Sequence, residues 1–166
     1  MIETYVIGWG LNRNWWLIDH FRVDAPDGRR VDHQFVWDEQ EFFRKKVYIH
    51  ETGVEMKVSV FFHDTGGHYA DSVYNFVRGK YAEGYIATKG SNVYGSPLIS
   101  PMSRNNKGKI PLHMIGTDTA KRTIFGRFKA KKAGEDGYFH LPDWCTDEMC
   151  EQFLSEKLSK KKAKNA

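Results

Sequence analysis

Two-residue and helical periods take turns along this chain, with turn-forming residues between them. Ile2 to Trp9 and Trp15 to Val23 read as strands, and Gly10-Leu11-Asn12-Arg13-Asn14 between them predicts a hairpin. Ala25-Pro26-Asp27-Gly28 is a turn. From Asp38 to His50 the residues Phe42, Phe43 and Val47 share one side and charges the other, which predicts a helix. Val58 to Phe62 is an apolar run, expected to form a central, buried strand, and it leads into His63-Asp64-Thr65-Gly66-Gly67-His68. Tyr69, Val73, Phe76, Val77 and Tyr81 then fall at helical spacing.

Tyr85 to Thr88 is a short strand ending in Lys89-Gly90, and Ser91 to Lys109 is a long loop. Leu112 to Thr117 is a further strand, ending at Asp118, and Thr119 to Phe128 a helix. Tyr138 to Leu141 is a short strand. Asp143 or Thr146 caps a last helix whose inner side is Met149, Cys150, Phe153, Leu154 and Leu158, with Asp147 and Glu148 in its first turn. This order predicts an α/β domain, a mixed sheet flanked by helices, over residues 1–159. The basic tail 160–166 has no apolar face and is expected to be disordered.

Composition narrows the class. Hydrophobic residues make up 40% of the 166 and aromatics 14%, which is enough for a packed core without staples. The net charge of +4 leans weakly towards a polyanionic partner. Cys145 and Cys150 do not have zinc-knuckle spacing, and the expectation is reduced thiols in a cytoplasmic protein. No apolar run approaches the ~18 residues of a membrane span, and the N-terminus has no secretory pattern. There is no GxxxxGK[ST] phosphate loop and no placed Ser-His-Asp or Cys-His set.

The candidate chemistry sits at strand ends. Asp64 and Asp118 each follow an apolar strand and precede a helix, where open α/β sheets carry their ligands. Carboxylates are hard oxygen donors suited to Mg or Mn, and two such ions ~4 Å apart drive in-line phosphodiester cleavage in many nucleases. A shared site would bring the two carboxylates within about 8 Å. The alternative is that each Asp caps the helix after it. His63, His68, His113 and His140 lack a zinc spacing, although His68 is placed to reach a phosphate or a water. Lys89, Lys121 and Arg122, together with Arg104, Lys107 and Lys109 of the long loop, form either a phosphate-meeting collar or a solvated charged surface.

Several blocks, in order, resemble one family. They are Ile7-Gly8-Trp9-Gly10, Trp16-Leu17-Ile18-Asp19, His63-Asp64-Thr65-Gly66-Gly67-His68, Val73-Tyr74-Asn75-Phe76-Val77-Arg78, Ile86-Ala87-Thr88-Lys89-Gly90, Ile115-Gly116-Thr117-Asp118-Thr119-Ala120-Lys121 and Gly137-Tyr138-Phe139-His140-Leu141-Pro142, with Glu151 to Glu156 closing the series. Together they resemble the nuclease domain of lambda-type phage terminase large subunits. The resemblance implies an RNase H-like fold and divalent-metal cleavage of concatemeric double-stranded DNA. Its implied partners are a small terminase subunit, the capsid portal and an ATPase portion of the large subunit. Asp64 matches the family's Asp-Ser-Gly-Gly block; Asp118 and Lys121 match its Val-Asp-Thr-Ala-Lys block. That makes Asp64 and Asp118 metal ligands and Lys121 a stabiliser of phosphate charge. The family pattern also has a strand ahead of the position of Met1 with a metal-binding Asp, and an acidic helix beyond that of Ala166. The chain alone is therefore expected to be a poor nuclease. The rival expectation is a catalytically incomplete module of the same fold that binds DNA or assembles with other phage subunits.

Overall fold

The computed structural model describes residues 1–9, 13–105, 108–129 and 132–155. Lys107, the tail 160–166, Leu158 and the first residues of the predicted hairpin turn lie outside these.

Ile2–Trp9 (β1) and Trp15–Val23 (β2) pair antiparallel over their whole length, from Ile2 opposite Val23 to Trp9 opposite Trp15. The pleat turns Leu17, Phe21 and Val23 inward. Phe21 and Val23 meet Gln34–Lys45 (α1), whose Val36 is fully buried and whose Phe43 stacks on Phe21 at 3.7 Å. His33 caps α1 by accepting the Phe35 N–H, and Arg44 and Lys45 face the negative end of its dipole.

The helix starts earlier and stops sooner than the sequence pattern over Asp38 to His50 suggests. Val47-Tyr48-Ile49 is β-branched and aromatic, and it finds a partner in the chain just downstream. Val47–Ile49 (β3) and Glu55–Lys57 (β4) form a small antiparallel hairpin closed by Gly53 at φ +84°.

The remaining sheet is mainly parallel. Phe61–Asp64 (β5), Tyr85–Ser91 (β6), Ser103–Arg104 (β7) and Pro111–Gly116 (β8) lie in the order β5-β6-β8-β7. β5, β6 and β8 run parallel, and β7 antiparallel to β8. Ala70–Val77 (α2) and a single 3-10 turn, Tyr81–Glu83, connect β5 to β6. The core is Phe61, Val77, Tyr85, Ala87, Ile110 and Leu112, with Tyr74, Phe76 and Met114 against it. Thr117–Arg127 (α3) follows β8; Phe139–His140 (β9) then joins β2 in parallel. Asp147–Leu154 (α4) ends the described chain, and Thr146, not Asp143, caps it by accepting the Met149 N–H.

Mixed α/β is therefore the class, but the expected single sheet is split into three. The run Val58 to Phe62 is also not the central strand. β5 starts at Phe61 and lies on the edge of its sheet, with Phe61 and His63 buried while Phe62 is 55% exposed. A strand with one neighbour buries alternate residues only; the two-sided position belongs to β6, where Tyr85 to Thr88 are all buried. The long loop also has internal order. Gly116 N–H reaches the Pro97 and Leu98 carbonyls, Ser100 N–H reaches the Met114 carbonyl, and Ile99 bridges Ile115. The segment 97–104 thus runs back along β8. No helix among the described residues is long and apolar enough to cross a membrane.

Candidate functional site

The carboxyl ends of β5, β6 and β8 meet at one edge of the parallel sheet. Asp64 is the last residue of β5 and is exposed; its Oδ1 accepts the Gly66 N–H at 2.9 Å. Behind it the chain is locked. Buried Thr65 donates both its N–H and its hydroxyl to the Thr88 carbonyl at 2.8 Å, and Thr88 Oγ1 donates back to the His63 carbonyl. Tyr74 of α2 donates to Thr65 Oγ1 at 3.2 Å. The carboxylate is thus presented from a strand tip held by crossed threonine bonds, and the turn after it supplies the nearest N–H. No alternation rule points to that clamp; its only trace in the sequence is a threonine just beyond Asp64 and another before Lys89.

Asp118 is not at a strand end. β8 stops at Gly116, and Asp118 is an exposed residue in the first turn of α3, where its charge favours the helix dipole. Gly116 fixes that turn. A Cβ there would lie 2.3 Å from the Ser96 carbonyl oxygen and 2.5 Å from that of Pro97. Thr119 Oγ1 donates to the same Ser96 carbonyl at 2.7 Å. Gly116→Ala must displace backbone, so it lowers stability by about 1–3 kcal/mol, the usual cost of overpacking. Urea unfolding checks this, with Gly126→Ala as control because a Cβ at Gly126 meets nothing within 4 Å.

Register sets the distance between the acids. Asp64 lies opposite Thr88, while β6 runs on to Ser91, opposite Gly116. Two strand spacings, about 10 Å, and a three-residue advance of about 10 Å therefore separate their backbones. Asp64 and Asp118 stand at two ends of one sheet edge, with the tip of β6 between them. Their oxygens suit Mg or Mn, but two are too few for an all-protein cage. No group of three His, Cys, Asp or Glu that could hold an ion forms among the described residues.

The predicted basic collar divides. Lys89, Lys121 and Arg122 lie on the same sheet edge as the two acids and are exposed. Arg122 donates to the Tyr94 hydroxyl and lies 5.0 Å from the centre of that ring, an anchor the sequence did not single out. Arg104 and Lys109 are at the other end of β8, since Arg104 pairs with Pro111 and donates to the Lys109 carbonyl at 2.8 Å. The antiparallel run of segment 97–104 carries them there.

The histidines disperse. His68 is exposed in the turn before α2. His113 Nε2 meets the Tyr81 hydroxyl at 3.0 Å, and His140 stacks on Trp16 at 4.6 Å. His63 is buried against Phe61 and Phe76; burial, aided by the Lys80 charge, pushes its pKa down to about 4, so it is neutral at pH 7. Cys145 and Cys150 are free thiols 3.8 Å apart, and burial with their mutual contact raises the Cys145 pKa.

Residues 1–166 match the family described as terminase large subunit gpA, endonuclease domain. The terminase large subunit of Escherichia phage lambda is 35% identical over 144 residues, covering 85% of this chain and 22% of that protein. The terminase large subunit of Enterobacteria phage P21 is 33% identical over 129 residues, 77% of this chain and 19% of that protein. The chain thus spans about a fifth of the length of these relatives. No solved structure matches it. By its match along the whole sequence, the chain belongs to the family of terminase large subunit endonuclease domains.

Proposed function

We propose that this domain cuts concatemeric double-stranded DNA in a divalent-metal-dependent reaction, as the nuclease part of a terminase large subunit. The observation that carries the reading is the shared sheet edge. Asp64 at the tip of β5 and Asp118 at the start of α3 flank exposed Lys89, Lys121 and Arg122. Carboxylates and cations on one edge suit a phosphodiester bound through an ion. Mg is commonly held by one or two carboxylates plus substrate phosphates, so one acid at each end of the edge suffices to anchor an ion against the bound strand. A bound ion would supply Lewis-acid polarisation of the phosphate and activation of water. Asp64 and Asp118 would each hold an ion, and Lys121 would stabilise charge on the phosphate. Lys89 and Arg122 would meet the adjacent backbone; Arg104 and Lys109 would extend the contact to the other end of β8, and Lys107 would be a further phosphate contact. An antiparallel hairpin followed by parallel strands with a helical crossover supports the RNase H-like reading of the fold. The small terminase subunit, the portal and the ATPase portion are the partners this reading implies.

One observation favours the rival, a DNA-binding or assembly module that does not cut: no three metal-ligating side chains gather among the described residues. The two readings separate in a chimera that carries this chain in place of the matching part of the phage lambda terminase large subunit. Duplex cutting with Mn or Mg, abolished by a chelator, supports the nuclease. Salt-sensitive DNA binding without cutting supports the module.

The cations are tested in the same binding assay. Lys89→Ala and Lys121→Ala each weaken duplex binding across unrelated sequences. Each reduces the dependence of log K on log salt by about 0.9, the value for one phosphate contact. An unchanged slope removes that lysine from the interface.

A further inference from the structure

The loop that leaves β6 is a fixed platform at the candidate edge. Ser91 ends β6, and the chain turns back at Gly95, whose φ of +73° only glycine adopts freely. Ser91 Oγ accepts the Val93 N–H at 3.2 Å, and Ser96 Oγ donates to the Val93 carbonyl at 2.7 Å. The two serine hydroxyls meet at 2.9 Å. Both neighbours of Asp118 in α3 hold the same loop. Thr117 Oγ1 donates to the Ser91 carbonyl at 3.3 Å, and Thr119 Oγ1 to the Ser96 carbonyl at 2.7 Å. These bonds tie the loop to the turn that carries the Asp118 carboxylate.

What the platform presents is apolar. Val93 and Tyr94 are each 70% exposed at its tip. Exposed apolar residues scattered singly are ordinary, but two in sequence on a loop held this firmly are displayed. Their setting is cationic. Arg122 donates to the Tyr94 hydroxyl and lies 5.0 Å from the ring centre, and Lys89 and Lys121 share the edge. Cations meet phosphates, whereas an apolar pair has nothing to bind on a phosphate. The apolar surface of a duplex is chiefly its base faces, and side chains reach those by entering a groove and parting a base step.

We propose that Val93 and Tyr94 form a wedge that enters one base step of bound duplex DNA beside the candidate site. Tyr94 stacks on a base freed from its neighbour, while Lys89 and Arg122 hold the flanking phosphates. The wedge fixes the register of the strand against Asp118, because loop and acid share the Thr117 and Thr119 bonds. The inference rests on the duplex-DNA reading above and adds to it the residues that position the strand.

The test uses duplexes with 2-aminopurine, which brightens when unstacked, at successive positions along one strand. They are titrated with the lambda chimera in chelator, so that nothing is cut. The wild type raises the fluorescence severalfold at one position or more. Tyr94→Phe keeps the ring and the signal. Tyr94→Ala abolishes the signal and weakens binding about tenfold, the loss of one base–aromatic stack. A mismatch at the responsive position narrows that deficit, because an unpaired base is already partly unstacked. Val93→Ser lowers the signal, and serves if Tyr94→Ala fails to fold by circular dichroism. Wild-type binding without a fluorescence rise overturns the wedge and leaves the nuclease reading standing. An equal rise and affinity in folded Tyr94→Ala does the same, and assigns the apolar pair to a protein partner instead. Absence of duplex binding by the wild type overturns both. A rise in a protein that does not cut when metal is added supports the wedge and sinks the nuclease reading alone.

Discussion

Asp64→Ala lowers metal-dependent duplex cutting by the lambda chimera at least about a hundredfold, the upper range for disturbing a metal site through its supporting residues. The argument starts from what Asp64 does not do. It is exposed, belongs to neither core cluster, and makes one local bond to the Gly66 N–H. Removing it therefore costs little stability, and the Thr65–Thr88 clamp that shapes the strand tip keeps its bonds. DNA affinity is unchanged or slightly higher, because a negative charge leaves a surface that meets phosphates. Loss of cutting with binding and fold intact is the signature of a group that acts on the ion or the reacting phosphate. Plasmid nicking, gel retention and thermal melting on one preparation measure all three. Cutting within a few-fold of wild type would end the metal role of Asp64.

How much of this was legible beforehand differs by element. The bounds of the hairpin were legible, because Ile2 to Trp9 and Trp15 to Val23 are rich in β-branched and aromatic residues on either side of a turn-rich stretch, but the register shift between Val6 and Ile7 was not. The helix α1 was misplaced at both ends. Its start is capped by a histidine, outside the usual set of cap residues, and its predicted end ran into Val47-Tyr48-Ile49. Those three side chains fit a helical stripe as well as a strand, and only the pairing with Glu55 to Lys57 across the next turn chooses between them. Val58 to Phe62 misled for the same reason. An apolar run states that burial is affordable, not how many neighbours a strand has. β5 has one, and the buried centre went to the shorter-looking Tyr85 to Thr88.

For the candidate site, the edge was legible and the spacing was not. Asp64 and Asp118 both come out at the carboxyl edge of the parallel strands, as a strand–helix alternation implies. That β6 stands between them and projects past Thr88 is a matter of sheet order and register, which have no local sequence signal. The same holds for the basic loop. Arg104 and Lys109 are near Asp118 in sequence, but segment 97–104 doubles back along β8 and takes them to its far end.

His63 makes the protein lose stability between about pH 6.5 and pH 4. Burial, with the Lys80 charge adding to it, holds the folded-state pKa at about 4 against an ordinary 6.5. Above pH 6.5 neither state binds the proton, and the group contributes no slope. As pH falls through 6.5 the unfolded chain takes up a proton that the folded one refuses, so unfolding gains. Below about 4 both states are protonated and the slope from this group ends. The full shift is about 2.5 pKa units, or on the order of 3 kcal/mol. Few single groups in a domain of this size reach that effect. His63→Phe keeps a ring in the contact with Phe61 and Phe76 and removes the titration. Its urea midpoint changes less than that of the wild type from pH 7.5 to 4.5, so the difference between the two curves moves in the variant's favour towards the acid end. Glu41 does not produce the same signal. Burial opposes its ionisation, but bonds from Lys80 and Tyr85 outweigh that and hold its pKa below the ordinary value. Its stabilisation is lost only as pH falls through the carboxylate range, below most of the histidine window. Equal pH slopes for wild type and His63→Phe would show that His63 is solvated in the folded protein.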